Sequence, residues 1–521
     1  QQTMRGSVTV VATGGDSNQL VEIDLVFDGQ PTRQSRYSGI GLGNFYFMVP
    51  DYMNTPGTHR LMITAKDKDG NLGESREVIY KSEAASKTKM TAYDRALHLS
   101  ERFCYGADQD VIAEILIKGE KQWLTNNLNQ SSAEPGIASS LELSNVTFSN
   151  YYDSNHTPMA LIQHLTKTSN PAQARFIVWS QNHFSTWLNK VEAQRKRQES
   201  NVFLEMGISS FKLMLNASST SPAMLYYLDQ QRSWTGQLNE NYARELLELH
   251  TLSVSGGYTQ EDVTKLAGLI TGWMTNDVAD ITGKPQRMTC VFYFEQKLND
   301  DKATQIFGMD FPEVKSSEKF DRINKLFEML SSHPKTAEFI TKKLLQQYTG
   351  IPVPPALHAD LQKEFMRTGG DMKSLLAMIV NSEDFWGSRA VPKVCTPLDF
   401  SVATMRRTEE PDIWNMHECA RNSGVGLFDR ATPDGYPETN KHYADSNSLL
   451  QRWRFCDHIQ WVLYRNLPER LHNANGLEKE DWMQRMIQVT AMNLMGKPLG
   501  VQSFDAVKSF YQELGGQPYE N

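Results

Sequence analysis

The chain has 521 residues, 40% of them hydrophobic, with ten Trp, 19 Tyr and 23 Phe and a formal net charge of -8. That length accommodates roughly two to four domains of about 150 residues each, and the aromatic content excludes a disordered chain. The mild acidity argues against general nucleic-acid binding, which needs basic stripes, and no window of about eighteen apolar residues is present to span a membrane.

The opening QQTMRGSVTV has neither a basic start nor a long apolar block. A chain trimmed after export would look like this, and so would a cytosolic one. The five cysteines, Cys104, Cys290, Cys395, Cys419 and Cys456, include no CxxC pair. A zinc ribbon and a disulfide scaffold are excluded; one or two bridges among the last three and buried free thiols both stay open.

Residues 1–80 carry short runs rich in Val, Ile, Tyr and Phe: SVTVVAT, LVEIDLVFDG, FYFMVPD, HRLMITAKDKDGN and REVIY. Turn signals such as Asp28-Gly29 and Asp69-Gly70-Asn71 separate them, and the alternation in Val21–Leu25 and Leu61–Ala65 is that of half-buried strands. The spacing predicts a small all-β sandwich. PGTHRLMITAKDKDGNLGES resembles the late hairpin of immunoglobulin-like modules on secreted bacterial proteins, which implies export and a spacer or carbohydrate-binding role. Lys81–Thr91, KSEAASKTKMT, is polar and aperiodic and reads as a linker.

From Ala92 to the end, residues 92–521, the pattern becomes helical. Ala92–Asn129 predicts two helices broken at Gly106, the second opened by Asp108 or Asp110. Asn170–Glu199 predicts one long helix with Pro171 in its first turn. Within it Phe176, Trp179, His183 and Trp187 make an aromatic face around a histidine. Core packing is the default for such a stripe, and sugar stacking is the functional alternative.

NENYARELLELHTL, Asn239 to Leu252, is the most chemically loaded helix. At about 100° per residue, Asn241, Glu245 and Glu248 fall within about 60° of one another, with Arg244 beside them. Tyr242, Ala243, Leu246, Leu247 and Leu249 fill the other side and take His250 with them. A solvated polar stripe is the plain reading of the first face. A carboxylate pair tuned by an arginine is the functional one, because close carboxylates separate in pKa as acid/base cleavage of a glycosidic bond requires. An i, i+3 pair is tight for that purpose, so the second carboxylate is expected from elsewhere.

Further along, TQEDVTKLAGLITGW is a helix capped at Thr259 and ended near Gly272, and Thr289–Lys297 is the best strand of this region. Several helices follow, among them HPKTAEFITKKLLQQYTG, ALHADLQKEFMRTGG, MKSLLAMIVNSEDFW, SLLQRWRFCDHIQWVLYRN and KEDWMQRMIQVTAMNLMG. The long loop Gly426–Leu450, with Pro433, Pro437, Tyr436 and Tyr443, reads as an ordered cleft wall, and Asp434 as a candidate second carboxylate. His183, His250 and a carboxylate are a conceivable metal set, yet the chain has no HExxH and its ExxH, Glu469 to His472, lies far from both histidines; neither metal nor cofactor is assigned. Nucleotide loops and a GxSxG elbow are absent.

Asn239–Trp273 is very similar to the signature segment of the bacterial family called domain of unknown function 1800, and the similarity extends over most of residues 92–499. WSQNHF resembles that family's Trp-x-x-x-His-Phe helix, at Trp179, Asn182, His183 and Phe184. HPKTAEFITKKLLQQY, SEDFW and GLFDRATPDGYPET resemble its later segments. The resemblance singles out His183, Asn239, Asn241, Arg244, Glu245, Glu248, His250, Tyr258 and Asp262. It implies an exported, mainly helical protein, often encoded beside a second exported family of sulfatase-like architecture, and hence an envelope polysaccharide as partner. Two positions depart from the family pattern: Asn299 stands where a histidine is expected, and Gln346-Gln347-Tyr348 replaces Arg-His-Phe.

The expectation is therefore a multidomain protein, a small immunoglobulin-like sandwich followed by a large helical domain. Its function would be a secreted, carboxylate-dependent polysaccharide hydrolase. Glu245 or Glu248 would be the acid/base, oriented by Arg244 and Asn241. Trp179, Trp187, Tyr242 and Tyr436 would be sugar platforms, with Asn182, Tyr258 and Asp434 beside them, and His183 and His250 a second polar centre. The rivals are a non-catalytic envelope or matrix binding protein and, third, a metal-dependent enzyme using the two histidines.

Overall fold

The structure is a computed structural model that describes residues 2–83, 90–129, 155–279 and 288–466 with short breaks, and scattered positions after 502. The N-terminal strands are β1 Gln2–Arg5, β2 Val8–Gly14, β3 Leu20–Phe27, β4 Gln30–Pro31, β5 Gly43–Val49, β6 Gly57–Asp67, β7 Leu72–Glu74 and β8 Val78–Glu83. They form a sheet of order β1-β8-β6-β3-β4, with β7 on β6, and a separate antiparallel β2-β5 pair. All pairings in the larger sheet are antiparallel except β1 with β8. The one-residue alternation is visible where side chains are described: Leu25, Phe27 and Leu61 are buried while Arg60 is exposed. These small sheets are what stands at the N-terminus. β8 runs three residues into the stretch expected to be linker, and residues 84–89 lie outside the described residues.

The helical region begins at Ala92 with a reciprocal cap: the Thr91 hydroxyl accepts from the Asp94 N–H, and the Asp94 carboxylate accepts from the Thr91 N–H. The expected two helices over Ala92–Asn129 are three, Ala92–Phe103, Gln109–Lys118 and Glu120–Asn129, because Gly119 as well as Gly106 takes a positive φ. Asp108 caps the second of them. The single helix expected over Asn170–Glu199 is also broken, into Pro171–His183 and a stretch Leu188–Met206 that is itself kinked at Glu192, where φ is 69°, with Pro171 in the first turn as the sequence indicates. The break at residues 184–187 follows from a tertiary tie, since the Leu188 N–H donates to the Phe428 carbonyl rather than to its own helix.

After Gln260–Leu269, β9 (Trp273–Ala279) and β10 (Met288–Phe294) make the hairpin anticipated from Thr289–Lys297, and β11 (Thr304–Ile306) pairs with β12 (Met309–Phe311). The helices Lys319–Ser331, Pro334–Tyr348, Pro355–Thr368, Met372–Asn381, Pro397–Met405, Ile413–Asn422 and Ser446–Asn466 complete the body. The expected helix at Lys479–Gly496 lies outside the described residues. One contiguous apolar core runs from Tyr93 to Ile459, with Trp123 and Trp273 wholly inside it. All five cysteines are free thiols.

Candidate functional site

Asn239 opens the loaded helix. Its Oδ1 accepts from the Asn241 N–H at 2.9 Å, and its Nδ2 donates to the Leu228 and Asp229 carbonyls at 2.9 and 2.8 Å. The helix is α only over Glu240–Glu245; Leu246–Thr251 is a π turn, closed by Leu252 N–H to the Leu247 carbonyl and by the Thr251 hydroxyl to the Leu246 carbonyl. Such widened turns concentrate at functional sites and displace side chains from a regular wheel. Glu245 and Glu248 still share a half-buried face. Burial, and next the charge of Glu248, push the Glu245 carboxyl above its ordinary value, against the pull of Arg244.

The neighbours of this pair come from three segments. Burial, and next Glu248, raise the hydroxyl of Tyr258 above its ordinary value, which places Tyr258 beside that carboxylate. Arg244 reaches away, donating to Gln260 Oε1 at 2.8 Å and lying 3.6 Å from Glu240, so its orienting role is toward the next helix. Asn241 is exposed, and Asp262 serves the capping box of Gln260–Leu269 with Thr259. Asp434, on the Gly426–Leu450 loop, bears electrostatically on Glu245. Arg430 grips Asp434 with two bonds of 3.1 and 2.8 Å and the Thr432 hydroxyl adds one of 2.6 Å. Burial works to raise the Asp434 carboxyl, yet these bonds keep it below its ordinary value.

The aromatic face resolves differently. Tyr242 is wholly buried, donating its hydroxyl to the Ser219 carbonyl at 3.3 Å, so it is no sugar platform. Trp187 is partly buried against the core and Trp179 is 4% exposed, stacked on His183 with ring centroids 5.8 Å apart. An open sugar-stacking face is therefore not what this stripe makes. His183 and His250 are core residues among Phe184, Phe211 and Phe339, at 1% exposure each. His183 Nε2 contacts the His250 carbonyl at 3.2 Å. Burial, with Lys343 next, takes the His250 pKa down to about 3, and the same causes depress His183. Both rings are neutral, and they do not join the glutamate face. Among the described residues no three His, Cys, Asp or Glu side chains are grouped to hold a metal. Asn299, where the histidine was expected, donates its amide to the Leu269 and Thr271 carbonyls at 3.0 and 2.8 Å and braces a turn.

The loop itself is pinned. The Asn182 amide accepts from the Tyr436 N–H at 2.7 Å and donates to the Tyr436 carbonyl at 2.8 Å, which engages both ends of a side chain assigned to substrate. Gly435 sits so close that a Cβ there would lie 2.1 Å from the Asn182 carbonyl oxygen, at a φ of +69°. Under the loop is a cavity of about 120 Å³ whose walls include Trp179, Asn182, Tyr436, Arg175, Asp399 and Lys393. Arg175 forks onto Asp399 at 3.0 and 3.2 Å and donates to the Cys104 carbonyl at 2.7 Å. Neither Glu245 nor Glu248 lines this cavity. The last three wall residues escaped sequence reasoning. Asp399 was legible only as the third residue after the Thr396 cap, and nothing marked Lys393 or Arg175 apart from other surface-type charges.

No curated protein and no solved structure matches the chain. The sequence model of one family, described as protein of unknown function (DUF1800), matches residues 98–520, most of the chain and all of both sites above. The chain belongs to that family.

Proposed function

We propose that this protein is an exported hydrolase of an envelope or extracellular polysaccharide, with Glu245 as proton donor to the leaving group and Asp434 as its ionised partner. The observation that carries the reading is the pairing itself. Helix and loop bring together two carboxyls whose surroundings move them in opposite directions, Glu245 up and Asp434 down. Carboxyl groups separated in this way divide into an acid and a base. Tyr258 and Glu248 support the acid, and Arg430 holds the base in place. The N-terminal strands, as an immunoglobulin-like sandwich, serve as spacer or sugar-binding module, and a second exported protein is the natural partner.

The test is release of reducing ends from a panel of neutral and acidic bacterial polysaccharides, comparing the wild type with Glu245→Gln and Asp434→Asn. Release by the wild type that both variants lose supports the assignment. Retention of full activity in Glu245→Gln sinks it. The rival, a non-catalytic binding protein, is favoured by one observation: Asn299, at an expected family histidine, is spent on bracing backbone. Tight polysaccharide binding without any bond cleavage would decide for that rival.

A further inference from the structure

The cavity beneath the Gly426–Leu450 loop contains neither carboxyl of the acid/base reading, and its walls are chemically specific. Three cavity-lining side chains, buried to 1%, 4% and 3% exposure, leave polar atoms without a partner: the Tyr105 hydroxyl, the Trp179 Nε1–H and both ends of the Gln181 amide. The Arg175 Nε–H is unpartnered as well, and so is one carboxylate oxygen of the wall, Glu438 Oε1, which has only the Lys343 ammonium nearby. A buried polar atom without a hydrogen bond has lost its water and gained nothing in return, so several in one cavity mark a place where something else supplies the partners. Donors outnumber acceptors in this set, since Tyr105, Trp179, Arg175 and the Gln181 NH₂ all present hydrogen.

Charge points the same way. Of the cations on the wall, Arg175 is matched by Asp399 and Arg430 by Asp434, while the wall's other carboxylate, Glu438, has Lys343 at 3.6 Å. Lys393 is the wall cation that forms no ion pair among the described residues; its ammonium donates to the Gln347 carbonyl and keeps two further hydrogens to offer. Leu161, Val178 and Leu398 supply an apolar remainder. A dry cavity of about 150 Å³ accepts benzene, so the present one suits a ligand of similar bulk.

We propose that this cavity is a binding site for a small organic monocarboxylate, its carboxylate held by Lys393 and the unpartnered donors of Tyr105, Trp179 and Gln181, and its apolar body set against Leu161, Val178 and Leu398. The site shares Arg430 with the hydrolase reading but does not rest on that reading. Lys393 faces Arg175 from Pro171–His183, Arg102 from Ala92–Phe103, Asp399 from Pro397–Met405 and Cys395 on its own segment. Burial first, and Arg175 next, hold its pKa down to about 7. A bound anion restores the ammonium, so binding draws a proton from solution near neutral pH.

The experiment is titration calorimetry of the full chain with benzoate and hexanoate, each against its neutral amide, in two buffers of different ionisation enthalpy. Saturable one-site binding of an acid, at least about tenfold tighter than its amide and accompanied by proton uptake, is the expected result. Lys393→Met should weaken the acid by about tenfold or more. Tyr105→Phe, which removes only an unpartnered hydroxyl, should also weaken it, and covers the case in which Lys393→Met does not fold. Failure of both acids to bind, amides that bind as well as acids, or affinity unchanged in the variants would overturn the proposal and leave the cavity to water.

Discussion

Glu245 carries a carboxyl that the fold moves above its ordinary value of 4.5, through burial and then through Glu248. The sign of the consequence follows from linkage. A carboxyl raised on folding adds stability below its unfolded pKa, and that contribution is lost as pH rises through the folded value. At neutral pH the ionised Glu245 is a small burden, so Glu245→Gln should leave the melting temperature unchanged or slightly raised. The difference between variant and wild type should fade as pH falls below about 4.5, the unfolded value. On the proposed hydrolase reading, turnover should meanwhile fall by about 10²–10⁴-fold, the usual share of a general acid. A calorimetric pH series beside an activity assay measures both. A variant that melts well below the wild type at pH 7 would show Glu245 to be a structural anchor and not an acid.

At the scale of elements, the sequence announces boundaries best where a side chain closes a helix locally. The caps at Asp108 and Thr259 and Pro171 in a first turn were all readable, because capping is a matter of a few neighbouring residues. Thr259→Ala should accordingly cost about 1 kcal/mol, seen as a lower denaturant midpoint with an unchanged m-value. The breaks at Gly119 and at residues 184–187 were not readable, since the second is set by Phe428, more than two hundred positions away. The wheel placed His250 on the apolar side correctly, but a regular wheel has no room for the π turn that follows Glu245. The loop shows the same division. Its tyrosines and prolines announced order, while the grip of Asn182 on Tyr436 is a long-range fact. Gly435→Ala tests that grip. Its added Cβ would meet the Asn182 carbonyl and sit at a φ that alanine avoids, so the loop must lift. Hydrogen exchange should rise across residues 426–438 while the Pro171–His183 helix stays protected. Unchanged exchange would mean that the loop is held by other contacts.

For the whole molecule, the long-range charge pair Arg175–Asp399 is the most exposed to test. It ties Pro171–His183 to Pro397–Met405, more than two hundred residues apart, with side chains only 6% and 14% exposed. Composition could not reveal it, because neither residue is unusual until the chain is folded. Burial alone would raise the Asp399 carboxyl, but Arg175, then Lys393, hold it below its ordinary 3.8. A carboxyl depressed on folding contributes stability above its unfolded pKa and loses it as pH falls toward the folded value. Acid unfolding should therefore draw on this pair below about pH 4. Asp399→Asn leaves a buried guanidinium without its counter-charge and should cost about 3–5 kcal/mol at neutral pH, with the penalty shrinking as the wild type itself protonates. Removing both charges together, as Arg175→Met with Asp399→Leu, should restore most of that loss, because the cost lies in the unpaired ion and not in the absence of the pair. A double-mutant cycle by urea unfolding reads this directly. If the single and double variants lose the same stability, the two helices are held together by the surrounding core alone, and the pair has been kept for the cavity it lines.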